Sequence, residues 1–169
     1  MGHFDESICN CCVCPMQCVL KQFIGETVGI ETPVSFEEVT IFDVKDFIVF
    51  TSAGDYAICN ISSVFIEFPF SVELKPLKKS TGECACCEDP MANFLNSQID
   101  QIFDIEFIGE FGGTVGQILN VGEGIVLQDI GLDETLIISI CTITRAVPSA
   151  ASSAQNIKSY KKIQSPSPT

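Results

Sequence analysis

The sequence predicts a mainly β fold: two tandem small barrels, each preceded by a short helix and a cysteine cluster. Three observations lead there. The chain repeats itself, each repeat carries period-two apolar alternation, and the balance of 46% hydrophobic to 18% charged residues marks a chain that buries a core.

The repeat is anchored by Cys9 to Leu20 (CNCCVCPMQCVL), which returns 75 residues later as Cys84 to Leu95 (CACCEDPMANFL). Cysteine, methionine and proline are uncommon residues, so the shared C-x-C-C-x-x-P-M-x-x-x-L signals a duplication rather than coincidence. Further on, a shift of 77 overlays residues 25–50 on 102–127, and Val28 and Ile30 then meet Ile105 and Phe107. Ile41 meets Ile118, and Val44 meets Val121. Two more residues in the next turn change the shift to 79, which sets Ile58, Ile61 and Val64 against Ile137, Ile140 and Ile143. The expected organisation is a helix-plus-barrel module at 9–70, a linker at 71–83, a second module at 84–147 and a disordered, low-complexity tail at 148–169.

Within a module the elements follow in order. Pro15 and Pro90 suit a first helical turn, where the missing N–H costs nothing. Met16 to Ile24 reads as a short helix, and Gly25 suits its C-terminal cap. Strands follow at Thr27–Glu31, Val39–Val44, Phe47–Thr51, Tyr56–Asn60 and Val64–Phe68, where pairs such as Val28/Ile30 and Phe65/Glu67 alternate. Ser52 to Asp55 and Gly131 to Glu134 are hairpin turns. Five short strands and one helix bury little as an open sheet, so closure into a barrel is the economical solution. Copy one, Phe23-Ile24-Gly25 to Ile30 and Val39 to Phe50, resembles an Sm-like, or more broadly SH3-like, barrel, with its N-terminal helix, hydrophobic-Gly-x-x-Val opening and bend between the second and third strands. Copy two departs from it, with Ile102 where Gly25 stands and Gly122-Glu-Gly124 in place of Lys45-Asp-Phe.

Composition narrows the function. Nine basic against 22 acidic residues give a net charge of -13, which disfavours nucleic acid and anionic membrane surfaces. RNA binding, which the Sm-like resemblance allows, is the least favoured alternative. The single histidine, His3, leaves little for acid–base or nucleophilic catalysis, so the chain reads as no enzyme. No apolar run is long enough to span a bilayer. The acidic start (Asp5, Glu6) is no secretory signal, and Glu6 breaks the myristoylation pattern.

Ten cysteines in such a chain need an account. Cys9, Cys11, Cys12, Cys14 and Cys18, with Cys84, Cys86 and Cys87, are candidates for disulfides between chains, because adjacent cysteines do not easily bridge each other. The alternative is that the same thiolates bind zinc or copper, with Cys9/Cys12, Cys11/Cys14 and Cys84/Cys87 at C-x2-C spacing. Otherwise no cofactor is expected. Cys59 and Cys141 read as small apolar residues within strands. In profile, and in its Cys9–Cys18 stretch, the sequence resembles the Cys-rich coat and exosporium proteins of Bacillus-type endospores. The resemblance implies a structural or adaptor protein made in the mother-cell cytoplasm without a signal peptide. It would self-assemble as a homo-oligomer, or tie fibre subunits and other Cys-rich proteins to the spore surface, through disulfides.

Overall fold

The computed structural model describes residues 12–67 and 71–150. The first half opens with α1 (Val13–Leu20), extended by a 3-10 turn at Lys21–Phe23. Gly25, at φ +91, then redirects the chain into strand β1 (Thr27–Glu31), a left-handed position that glycine takes without the Cβ penalty. β2 (Phe36–Lys45), β3 (Ile48–Thr51) and β4 (Gly54–Ala57) follow as hairpins. A 3-10 turn at Ile58–Asn60 leads to β5 (Ser63–Ile66).

The second half repeats this order. α2 (Glu83–Cys87) and α3 (Asp89–Asn96) precede β6 (Ile102–Phe107), β7 (Gly113–Gly122), β8 (Ile125–Gly131) and β9 (Glu134–Ser139). A 3-10 turn at Ile140–Thr142 leads to β10 (Ile143–Pro148). The region read as linker lies along the protein surface. Gln22 exchanges two hydrogen bonds with the Glu73 backbone, at 2.8 and 2.9 Å, and Lys78 pairs with Glu123 at 2.5 Å. Most of the predicted tail, 151–169, lies outside the described residues.

The duplication is visible in detail, but its register differs from the sequence overlay. Gly25 N–H bonds Ile41 O and Ile41 N–H bonds Glu26 O, while Asp100 N–H bonds Ile118 O and Ile118 N–H bonds Gln101 O. Residues 25–31 therefore correspond to 100–106, a shift of 75. Val28 meets Phe103 and Ile30 meets Ile105. The overlay was two residues out here, and a two-residue slip is invisible to period-two alternation because it keeps every side chain on its face. From β2 to β3 the shift is 77, and irregularities between Ile41/Asp43 and Ile118/Asn120 coincide. The β8–β9 hairpin is five residues longer than β3–β4, so the last shift is 82 rather than 79. Ile58, Cys59 and Ile61 correspond to Ile140, Cys141 and Ile143.

The ten strands form one antiparallel sheet, in the order β10-β6-β7-β8-β9-β5-β1-β2-β3-β4. In each half the fifth strand pairs with the first, and no pairing among the described residues joins the fourth strand to the fifth of the same half. The sheet therefore does not close into the two barrels expected. Instead the fourth strand of the second half meets the fifth of the first, with Ser63, Val64, Phe65 and Ile66 opposite Ile138, Ile137, Leu136 and Thr135. Backbone bonds between halves satisfy edges that closure would otherwise have to cover. Two buried clusters result, and each draws on both halves. The first gathers Leu20, Phe23, Ile30 and Ile41 with Ile125, Leu127 and Ile137, and the second gathers Leu95, Phe103 and Ile118 with Cys12 and Phe65.

Candidate functional site at the junction of the two halves

The N-terminal end of α1 crosses from the first half onto the second. Cys12 forms a disulfide with Cys141 in the Ile140–Thr142 turn, with Cα atoms 6.0 Å apart and 129 positions between them in sequence. Cys141 N–H also donates to Cys12 Sγ at 3.1 Å. The close approach is possible because Gly124, at the tip of the β7–β8 hairpin, has no side chain. A Cβ there would lie 3.1 Å from both Cys12 Cα and Pro15 Cγ.

Beside the disulfide sits Glu88, 3% exposed, with Oε2 at 3.5 Å from Cys12 Sγ and 3.9 Å from Cys141 Sγ. Burial raises the Glu88 carboxyl to about 6, helped by the negative charges of Glu123 and Asp89. The folded protein thus holds this proton more tightly than the unfolded chain. The stability it contributes is full below about pH 4.5 and is lost as pH rises through about 6. Glu88→Gln should remove this component. Urea unfolding midpoints of wild type and variant, compared at pH 4.5 and pH 7, will show it as a smaller pH dependence in the variant.

A second buried carboxylate spans the junction from β1. Glu31 is 1% exposed; its Oε2 accepts the Ser63 hydroxyl at 2.5 Å and its Oε1 accepts Phe111 N–H, from the β6–β7 loop, at 2.7 Å. Burial raises its pKa above the ordinary range, against the lowering effect of those two hydrogen bonds. Glu110 N–H bonds Thr32 O at 3.0 Å, and the Phe111 ring packs on Phe36 with centroids 5.0 Å apart. The junction is therefore closed by a strand pair, a disulfide and a carboxylate clamp.

The predicted cysteines separate into groups. Cys9 and Cys11 lie outside the described residues. Cys12, expected to bond another chain, is bonded within this one, because α1 reaches over Gly124. Cys14 and Cys84 are disulfide-bonded as well. Cys18 is a half-buried free thiol, and Cys86 and Cys87 are exposed free thiols. Cys59 and Cys141, read as buried strand residues, are both exposed on 3-10 turns. Sequence reasoning missed Glu31 and Glu88, which nothing distinguishes among 22 acids. It also missed a signal that was present: I-C-x-I occurs at Ile58–Ile61 and again at Ile140–Ile143.

For a metal, Cys12, Glu88 and Cys141 place their ligand atoms within 4.8 Å of one another. Two thiolates and a carboxylate fit zinc, but only with the disulfide reduced, since the same sulfurs serve both states. No helix among the described residues is long and apolar enough to cross a membrane. No known family model, curated protein or solved structure matches the chain.

Proposed function

We propose that the protein is a non-enzymatic structural or adaptor protein of the bacterial spore surface, in coat or exosporium, working through disulfides between chains. Each half is read as an Sm-like barrel left open between its fourth and fifth strands. The observation that carries the assembly reading is a sheet ending in two edge strands, β4 and β10, whose outer sides pair with no other strand among the described residues, on a chain with exposed free thiols at Cys59, Cys86 and Cys87. Unpaired edges recruit further strands, and exposed thiols can fix the product covalently. The spore location rests on the resemblance of the Cys9–Cys18 stretch and the overall profile. Partners in this reading are further copies of the chain, other Cys-rich surface proteins and fibre subunits.

Thiol-blocked spore-surface extracts, run in denaturing electrophoresis without reductant, should give a ladder that collapses to the 18.3 kDa chain on reduction. A monomer in both lanes, or recovery of the protein only from the soluble cell fraction, overturns the proposal. A zinc-thiolate protein is the second reading, favoured by the Cys12, Glu88 and Cys141 cluster. Stoichiometric zinc in anaerobically purified protein, lost on oxidation, would select it.

A further inference from the structure

We propose that the junction between the two halves is repeated between copies of the chain, with β4 of one copy pairing with β10 of the next and a disulfide linking Cys59 to Cys87. This deepens the assembly reading by naming the surface, the partner and the residue pair.

The inference follows from the internal correspondence. Inside the chain a fifth strand, β5, meets a fourth strand, β9. Among the described residues this leaves one strand of each kind with an open outer edge: β10, the fifth strand of the second half, paired only with β6, and β4, the fourth strand of the first, paired only with β3. The two free edges are therefore complementary in the same sense as the pair already joined. Such a contact is heterologous, so it generates rings or open filaments rather than closed two-fold dimers. Carrying the β5–β9 register over by the shift of 82 sets Arg145, Ala146 and Val147 opposite Tyr56, Asp55 and Gly54 of the neighbour. The cation of Arg145 then faces a tyrosine whose hydroxyl bonds Glu37 at 2.7 Å.

The cysteines follow the same correspondence independently. Cys12 of the helix that accompanies β5 bonds Cys141 of the turn that follows β9. The counterpart of Cys12, at the shift of 75, is Cys87, and that of Cys141 is Cys59. Both are free and exposed. The carboxylate clamp has counterparts too. Glu106 corresponds to Glu31, and Arg145, which pairs with it, corresponds to Ser63. Val34 holds the place of Phe111, and its 83% exposure is the state of a loop residue still waiting for the surface that Phe111 already covers. One position differs: Phe47 stands where Gly124 does, so the neighbour's helix has to seat against that ring rather than on bare backbone.

Bond formation is thiol–disulfide exchange with a low-molecular-weight disulfide. The Cys59 thiolate takes one half of it as a mixed disulfide and releases one small thiol. The Cys87 thiolate of the next copy then attacks Cys59 Sγ and releases the second. Two protein thiols are oxidised and one small disulfide is reduced to two thiols.

The test uses the full chain with Cys59→Ser and Cys87→Ser, each at an exposed free thiol, incubated with oxidised glutathione. Wild type is expected to ladder beyond the dimer. Each single variant should lose the ladder, and an equal mixture of the two should stop at the dimer, since only one productive pair of ends remains. In a mixture of isotopically light and heavy wild-type chains, the Cys59–Cys87 linked peptide should appear with one light and one heavy partner. A wild-type ladder that persists in both variants overturns this pairing while leaving disulfide assembly intact, through Cys18, Cys86 or others. Absence of any ladder from wild type, in this incubation and in native extracts, removes both. A linked peptide that never mixes isotopes assigns the bond to a single chain and overturns the inference.

Discussion

Replacing Cys12 and Cys141 together with serine is expected to lower the stability of the folded chain by about 2–5 kcal/mol. The bond spans 129 positions, and a cross-link over so long a loop removes much of the freedom of the unfolded chain. It also anchors the start of α1, whose residues Met16, Val19 and Leu20 are buried in the first cluster. Losing the anchor therefore loosens packing as well as the unfolded-state constraint. The check is urea unfolding of the oxidised proteins, wild type against the double variant, followed by fluorescence of a bound apolar dye. A difference under about 1 kcal/mol would mean that the strand pair β5–β9, the Glu31 clamp and the shared clusters hold the halves together without the disulfide.

Glu31→Ala is expected to be the most damaging single change at the junction, at about 2–4 kcal/mol. It leaves the Ser63 hydroxyl and the Phe111 N–H buried with no acceptor, and each such orphan costs about 1–3 kcal/mol. Relief of the buried carboxylate's desolvation offsets part of this. Glu31→Gln, which keeps the volume and one acceptor oxygen, should cost about 1 kcal/mol. Because burial raises the Glu31 pKa, its contribution is largest at acid pH, below the unfolded value, and falls as pH rises through the folded one. Thermal unfolding of the three proteins at pH 4 and pH 7 checks both the ranking and the sign. Equal stability of Glu31→Ala and wild type would exclude a clamping role.

Much of this architecture was legible in the sequence because apolar alternation and turn residues are local signals. The strand β1 was predicted at its observed bounds, and the two-residue turn at Leu132 and Asp133, both at positive φ, follows from Gly131 to Glu134 as expected. The helix start was placed about three residues late, since Cys12 stands at the N-cap without the Ser, Thr, Asp or Asn that would mark it. The fourth strand was extended through Ile58–Asn60, which the chain instead winds into a 3-10 turn, because three residues carry no usable period. Closure was not legible at all. Whether a fourth strand returns to its own fifth strand or takes that of a neighbour depends on which edge it meets in space, and the alternation is the same in both cases. Glu31 and Glu88 were hidden for a related reason, since burial of a carboxylate is decided by the loop or helix that arrives from the other half.

The mixed composition of the buried clusters has a consequence for how the chain is made. The first half leaves the ribosome before Ile125, Leu127 and Ile137 exist, yet these residues complete its core. Until then β5 presents an unpaired edge and an incompletely covered apolar face. Vectorial synthesis therefore passes through a stage at which the nascent first half is open to capture by the edge of another chain. Arrival of β9 ends that stage, so the speed of translation between residues 67 and 139 sets how long the growing chain remains open to mispairing.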